Sequence, residues 1–135
     1  MNETLVRIKE FHGHLGPYAA LGYRMGLIAN KRFGPDPFGK KARALTGTVT
    51  PVSCMIDGVQ LSSCCTLGKG NIEVAEEGTP KVIFTDKEGI NTLAISVKSG
   101  ILDRIRGEMT WESGEQLAIE LFELPDDELF DIEEN

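Results

Sequence analysis

The chain has 135 residues, 41 % of them hydrophobic and 26 % charged, with a formal net charge of −7; this is the size of one ordinary domain, apolar enough to fold by itself. No apolar run approaches the roughly 18 residues that would span a bilayer, and Met1 is followed by Asn2, Glu3 and Thr4 rather than by a basic stretch and an apolar segment, so neither a membrane span nor a classical export signal is expected. From Glu123 onward there are seven acids and no base, which leaves residues 1–122 neutral; with no basic excess to release counterions from a phosphate backbone, nucleic acid is not an expected partner.

Residues 3–13 read as a short helix with Leu5, Ile8 and Phe11 on one stripe and Asn2 as its cap. Its end carries His12-Gly13-His14. Two imidazoles around a glycine, at a junction between helices, can turn to the same side, which a helix interior does not permit at that spacing. Joint metal ligation and a solvated or cap-forming pair are both open readings, and ligation needs further donors from elsewhere. Pro17 then opens a second helix to about residue 33. It is apolar on most sides, and Gly22 with Gly26 allows another backbone to approach, which reads as a central helix and predicts a homodimer. Residues 34–39, Gly-Pro-Asp-Pro-Phe-Gly, form a loop.

Residues 43–51 alternate small, polar and β-branched side chains as a strand does. Ser53 next caps a short helix through Met55, Ile56, Val59 and Leu61 that ends near Ser62-Ser63. The three cysteines, Cys54, Cys64 and Cys65, fall in this stretch. An odd count with two adjacent members is a poor disulfide framework and points to a reducing compartment, the cytoplasm. Cys54 stands at the predicted helix start, where the dipole lowers a thiol pKa, and is a candidate thiolate; a small buried hydrophobe is the other reading. Asp57, one turn on, either accepts from a ligand histidine or faces solvent. Continuous helix from Cys54 to Cys65 would separate them by about 16 Å, so they share an ion only if the helix ends early and the chain folds back. Thr66-Leu67-Gly68-Lys69-Gly70-Asn71 lacks the spacing of a Walker phosphate loop. It is either a tight entry into the next strand or an anion-binding loop in which Lys69 and free N–H groups hold a carboxylate or phosphate.

Strands at 71–75, 80–85 and 92–98 suggest an antiparallel meander. A helix over 99–106 stops at Gly107, and Ser113 with Gln116 has capping-box spacing for a last helix that Pro125 closes. Residues 126–135 are acidic, with only Leu129, Phe130 and Ile132 as apolar anchors, and self-repulsion leaves them weakly ordered unless those three dock. Helices, then strands, then helices argue an α+β domain over 1–124, mainly antiparallel sheet packed with helices at both ends of the chain, followed by an acidic tail, 125–135; alternating β-α-β units are not expected.

Four ordered motifs, Phe11-His12-Gly13-His14-Leu15-x-Pro17, Leu21-Gly22-Tyr23-Arg24-Met25, Cys54-x-x-Asp57-Gly58-x-Gln60 and Cys65-Thr66-Leu67-Gly68-Lys69-Gly70-Asn71, resemble the FmdE family of formylmethanofuran dehydrogenase proteins over roughly residues 5–85. The resemblance implies a mixed α/β core that often dimerises and binds a metal, commonly zinc, through histidine and cysteine. His12, His14, Cys54 and Cys65 are then the ligand candidates for zinc or another thiophilic divalent metal, with Asp57, Thr66, Gly68, Lys69, Gly70 and Asn71 around the site. It also implies an accessory role beside the molybdenum or tungsten enzyme that fixes carbon dioxide onto methanofuran, in the methanogenic one-carbon metabolism of archaea and anaerobic bacteria. An association follows from this, not a reaction. If the chain is instead a free-standing metal-dependent enzyme, Cys54 is the candidate nucleophile and Lys69 the group that stabilises developing negative charge. A third reading is an anion- or small-ligand-binding domain with no metal. Two departures from the family stand out: Gly16-Pro17-Tyr18 occurs where many members have Cys-Pro-Gly, and Pro125 with acids follows the core where many carry a cysteine-rich zinc finger.

Overall fold

Asn2 accepts the Leu5 N–H at 2.8 Å and opens α1 (Glu3–His12), which Gly13 ends at φ +94°, a left-handed value that a β-carbon disfavours. The structure is a computed structural model and describes residues 1–108, 110 and 112–135. Pro17 occupies the first position of α2 (Pro17–Phe33), where the missing N–H costs nothing. Both helices stand where caps and periodicity place them.

The strand expected at 43–51 begins and ends earlier, as β1 (Lys40–Ala44). Gly47 turns the chain at φ +65° and breaks the alternation there. Lys40 is 1 % exposed; its Nζ donates to the carbonyls of Gly34 at 3.0 Å and Asp36 at 3.4 Å, which replace the water a buried ammonium loses. After one 3₁₀ turn, Val52–Cys54, comes α3 (Met55–Ser63), without the side-chain cap expected from Ser53 and closed by Cys64 at φ +63°.

β2 (Ile72–Val74), β3 (Lys81–Asp86) and β4 (Thr92–Val97) are the three expected strands, but they do not form a meander. β1 lies between β2 and β3, parallel to the first and antiparallel to the second. Parallel neighbours need a crossover, and α3 provides it, so one β-α-β unit stands in an otherwise antiparallel sheet where none was expected. Then follow α4 (Ser99–Glu108), α5 (Gly114–Phe122), α6 (Asp126–Leu129) and β5 (Phe130–Glu134), giving the sheet order β2-β1-β3-β4-β5 among the described residues. This is the α+β class expected. The capping box before α5 is displaced by one turn: the Ser113 N–H donates to Thr110 Oγ1 at 3.1 Å and the Thr110 N–H to Ser113 Oγ at 2.9 Å.

The acidic tail is the largest departure. Rather than weakly ordered, it is α6 and the edge strand β5, paired with β4 from Leu93↔Glu134 to Val97↔Phe130. Leu129 and Phe130 are 0 % and 2 % exposed, so two of the three anchors dock in the chain's own core. The acids stay in solvent, where Asp131 meets Lys98 at 3.3 Å and Glu134 meets Arg32 at 3.7 Å. Arg24 fixes the approach: its guanidinium donates to the carbonyls of Phe122 and Leu124, both at 2.6 Å, and to Asp126 at 2.7 Å.

In register, Ala42 faces Phe84 and Phe84 faces Leu93, while Ala44 faces Val82 and Val82 faces Ile95, which gives the sheet one apolar side. That side packs on Leu21 and Met25 of α2 and on Met55 and Val59 of α3. A second cluster joins Leu5 and Ile8 of α1 and Ala118 of α5 to Ala19, Ala20 and Tyr23 of α2. Thus α2 is central, shared by two cores. A β-carbon at Gly22 would lie 2.0 Å from the Met55 carbonyl oxygen, and one at Gly26 1.8 Å from Ser62 Oγ. The glycine face that motivates a homodimer is therefore filled by α3 of the same chain, and the dimer expectation loses its support. Among the described residues no helix is long and apolar enough to cross a membrane.

Candidate functional site

His12 closes α1, and the left-handed Gly13 turns the chain so that His14 comes back beside it; the ring centroids are 4.7 Å apart, tilted by 42°. The junction lets both imidazoles share a side, as its irregularity predicts. His12 Nδ1 lies 2.5 Å from Oδ2 of Asp57, which projects from the first turn of α3. The other ring nitrogen, Nε2, is buried without a protein hydrogen-bond partner.

His12, His14 and Cys54 line one cleft of about 610 Å³, together with the junction residues Leu15, Gly16 and Pro17 and with Tyr18. Thr50 and Pro51 form another stretch of the wall, and Thr110, Gly114 and Glu115 bring in the far end of the sequence. Lys9 Nζ meets Glu115 Oε1 at 3.1 Å, an exposed ion pair that ties α1 to α5. Gly16 lines the cleft, and a β-carbon there would stand 3.1 Å from His14 Cε1, so any side chain at this position would crowd that ring. Tyr18 has its phenol pushed up by burial, with Arg106 opposing.

The Cys54 thiol is pushed above its ordinary value, first by burial and then by the nearby charge of Asp57, against the help of a backbone hydrogen bond. Burial and the Asp57 charge thus oppose the thiolate expected at a helix start; a cation arriving at the sulfur would still displace the proton.

Cys65 is not brought to this cleft. It is 0 % exposed in the sheet-facing core, where its Sγ donates to the Lys40 carbonyl at 3.6 Å, and burial raises its pKa. The Gly-Lys-Gly loop is also elsewhere. Lys69 Nζ donates to Thr66 Oγ1 at 2.8 Å, the Thr66 N–H donates to Asn71 Oδ1 at 2.8 Å, and Asn71 Nδ2 donates to the Pro37 carbonyl at 2.9 Å. Thr66, Lys69 and Asn71 therefore bind one another and the 34–39 loop, and none of Thr66, Gly68, Lys69, Gly70 and Asn71 walls the cleft. The physical reason is length: α3 has nine residues, about 13.5 Å of helix between the cleft at one end and this loop at the other.

Sequence reasoning missed Lys9, Tyr18, Thr50, Pro51, Thr110 and Glu115. Lys9 had a local signal, since it stands one helical turn before His12 and so shares its face. Thr110 and Glu115 had none, being about a hundred positions away in sequence and brought in only when α5 packs on α2.

Two imidazoles and a thiol are donor types that suit zinc and its thiophilic neighbours, and an unpaired buried imidazole nitrogen is an atom that an ion satisfies. The donors share the cleft without converging: among the described residues no three histidine, cysteine, aspartate or glutamate side chains are grouped to hold one ion.

A family model described as "FmdE, Molybdenum formylmethanofuran dehydrogenase operon" matches residues 11–131. Over 74 residues, 53 % of this chain, the sequence is 38 % identical to a "Probable S-adenosyl-L-methionine-binding protein" of Archaeoglobus fulgidus, and it spans only 20 % of that relative's length. A crystal structure of a tungsten formylmethanofuran dehydrogenase FmdE-like protein from Syntrophus aciditrophicus is similar with a TM-score of 0.70, over 98 % of this chain and 70 % of that one, at 19 % identity. At that identity the likeness establishes the fold.

Proposed function

This chain belongs to the FmdE family, and from that premise we propose that it is a cytoplasmic accessory protein of a formylmethanofuran dehydrogenase-type system, holding one thiophilic divalent metal, zinc first among them, in the cleft of His12, His14 and Cys54. One observation supports the metal above all. His12 Nε2 is buried with no protein partner beside a second imidazole and a thiol, and leaving such an atom unsatisfied costs about 1–3 kcal/mol. The association with a dehydrogenase complex and with methanogenic one-carbon chemistry rests on the family alone.

A zinc ion bound there supplies a Lewis acid for a carbonyl or water. His12 would offer Nε2, His14 its ring, and Cys54 its sulfur once the proton leaves, and joint ligation would require these donors to converge. Cys65 and Lys69 have no place in this reading, since neither reaches the cleft. Protein purified anaerobically without chelator is expected to carry about one divalent metal per chain by elemental analysis, as a single set of donors allows. Absence of any bound metal after reconstitution with zinc overturns the proposal.

A second reading has its own observation. The cleft, at about 610 Å³, has the volume of an organic-ligand site, and the Archaeoglobus fulgidus relative is named for binding S-adenosyl-L-methionine. Titration calorimetry of metal-free protein with that compound separates the readings: saturable heat favours the small ligand, and its absence removes this alternative.

A further inference from the structure

The contact between α1 and α3 at His12 and Asp57 does more than join two helices. We infer that Asp57 is the positioning residue of the cleft: it holds the His12 proton on Nδ1 and so leaves the buried Nε2 as a lone pair, preformed to donate to a cation. The argument begins with hydrogen-bond chemistry. An ionised carboxylate can only accept, and Oδ2 stands 2.5 Å from Nδ1, so Nδ1 carries the hydrogen between them. In the neutral ring the second nitrogen then has no hydrogen and presents its lone pair.

Burial makes that assignment consequential. The His12 side chain is 10 % exposed and Nε2 is buried with no protein donor, so no group of the protein satisfies the lone pair. With the proton on Nε2 instead, the molecule would bury an unpaired N–H and set a second lone pair against the carboxylate, two penalties in place of one. The ring is also held in place on one edge by Asp57, with the tilted His14 ring beside it at 4.7 Å between centroids. Asp57 and Cys54 leave neighbouring positions of the same helix start, three residues apart, so α3 delivers both the anchor of one donor and the other donor itself. Asp57 does not line the cleft, which marks it as acting through His12 rather than on what binds.

The consequence for a metal rests on the reading of the cleft as a metal site; the location of the proton does not. Both are tested on the full chain. Uniformly ¹⁵N-labelled, metal-stripped protein is examined by long-range ¹H–¹⁵N correlation, which reports the tautomer of each histidine. The expected result is a protonated Nδ1 and an unprotonated Nε2 for His12. Any other proton placement overturns the inference, and this measurement needs no variant to fold. In Asp57→Asn the amide can donate to Nδ1, so the Nε2–H form is expected to gain population. Zinc affinity, read by competition with a chromophoric chelator, is expected to fall by about 10–100-fold. Equal zinc affinity in the folded variant overturns the positioning role. A wild-type protein with the expected tautomer that takes up no zinc supports the assignment of the proton and overturns the metal reading instead, so the two failures are distinguishable.

Discussion

Cys54 and Cys65 have the same chemistry and opposite surroundings. One lines the cleft; the other is 0 % exposed in the sheet-facing core and donates to the Lys40 carbonyl. Cys54→Ser is therefore expected to lower metal retention, because the hydroxyl keeps its proton near neutral pH, whereas Cys65→Ala should retain metal and lose about 1–2 kcal/mol of stability through the cavity it leaves. Metal content and urea unfolding separate the two. A pH effect follows from the same burial. The folded chain holds the Cys65 proton more tightly than the unfolded chain, first through desolvation, with Ser63, Lys40 and Lys69 opposing. As pH climbs past the ordinary thiol value, about 8.5, the unfolded chain ionises first and stability falls until the raised folded value is passed. The loss between about pH 7 and about pH 9.5 should be smaller in Cys65→Ala than in the wild type; equal losses would mean that this thiol does not contribute to it.

Among the elements, the pair α2 and α3 positions everything else. Small residues let their backbones meet: a β-carbon at Gly58 would lie 2.0 Å from the Ala19 carbonyl oxygen and 2.5 Å from the Tyr23 nitrogen. Those atoms belong to a helix backbone and cannot rotate away. Gly58→Ala should thus force the helices apart, costing about 1–3 kcal/mol or more and lowering the melting temperature, and should also disturb the His12–Asp57 contact one residue away. An unchanged melting temperature would show that the helix pair is more compliant than this packing implies. Gly22, Gly26 and Gly58 were visible as small residues in helical segments. Their partner was not, because a glycine face records only that something approaches closely, and a helix of the same chain meets that need as well as a second copy does.

The whole molecule depends on its last ten residues. β5 completes the sheet, and Leu129 and Phe130 together enter the core. Burying each such side chain is worth about 1.5–3 kcal/mol, a large share of the roughly 5–15 kcal/mol that holds an average domain together. Ending the chain after Pro125 also leaves Arg24 without Asp126 and β4 with an open edge. The truncated chain is expected to lose its cooperative thermal transition by circular dichroism. Retention of a wild-type transition would return residues 126–135 to the status of a tail.

Chain-local features were decided by the sequence itself. Asn2 caps α1, Pro17 opens α2, the apolar alternation of 80–85 and 92–98 makes β3 and β4, and His12-Gly13-His14 turns two rings to one side. Each rests on interactions within a few residues, which spacing and residue type record. Tertiary structure alone decided that β1 separates β2 from β3, that an acidic segment becomes an edge strand, and that Asp57 reaches His12 while Cys65 and Lys69 stay away. The reason is that these outcomes compare distant alternatives. Two buried anchors outweigh the repulsion of solvated acids, and nine residues of helix hold Cys54 and Cys65 apart although the sequence sets them close together.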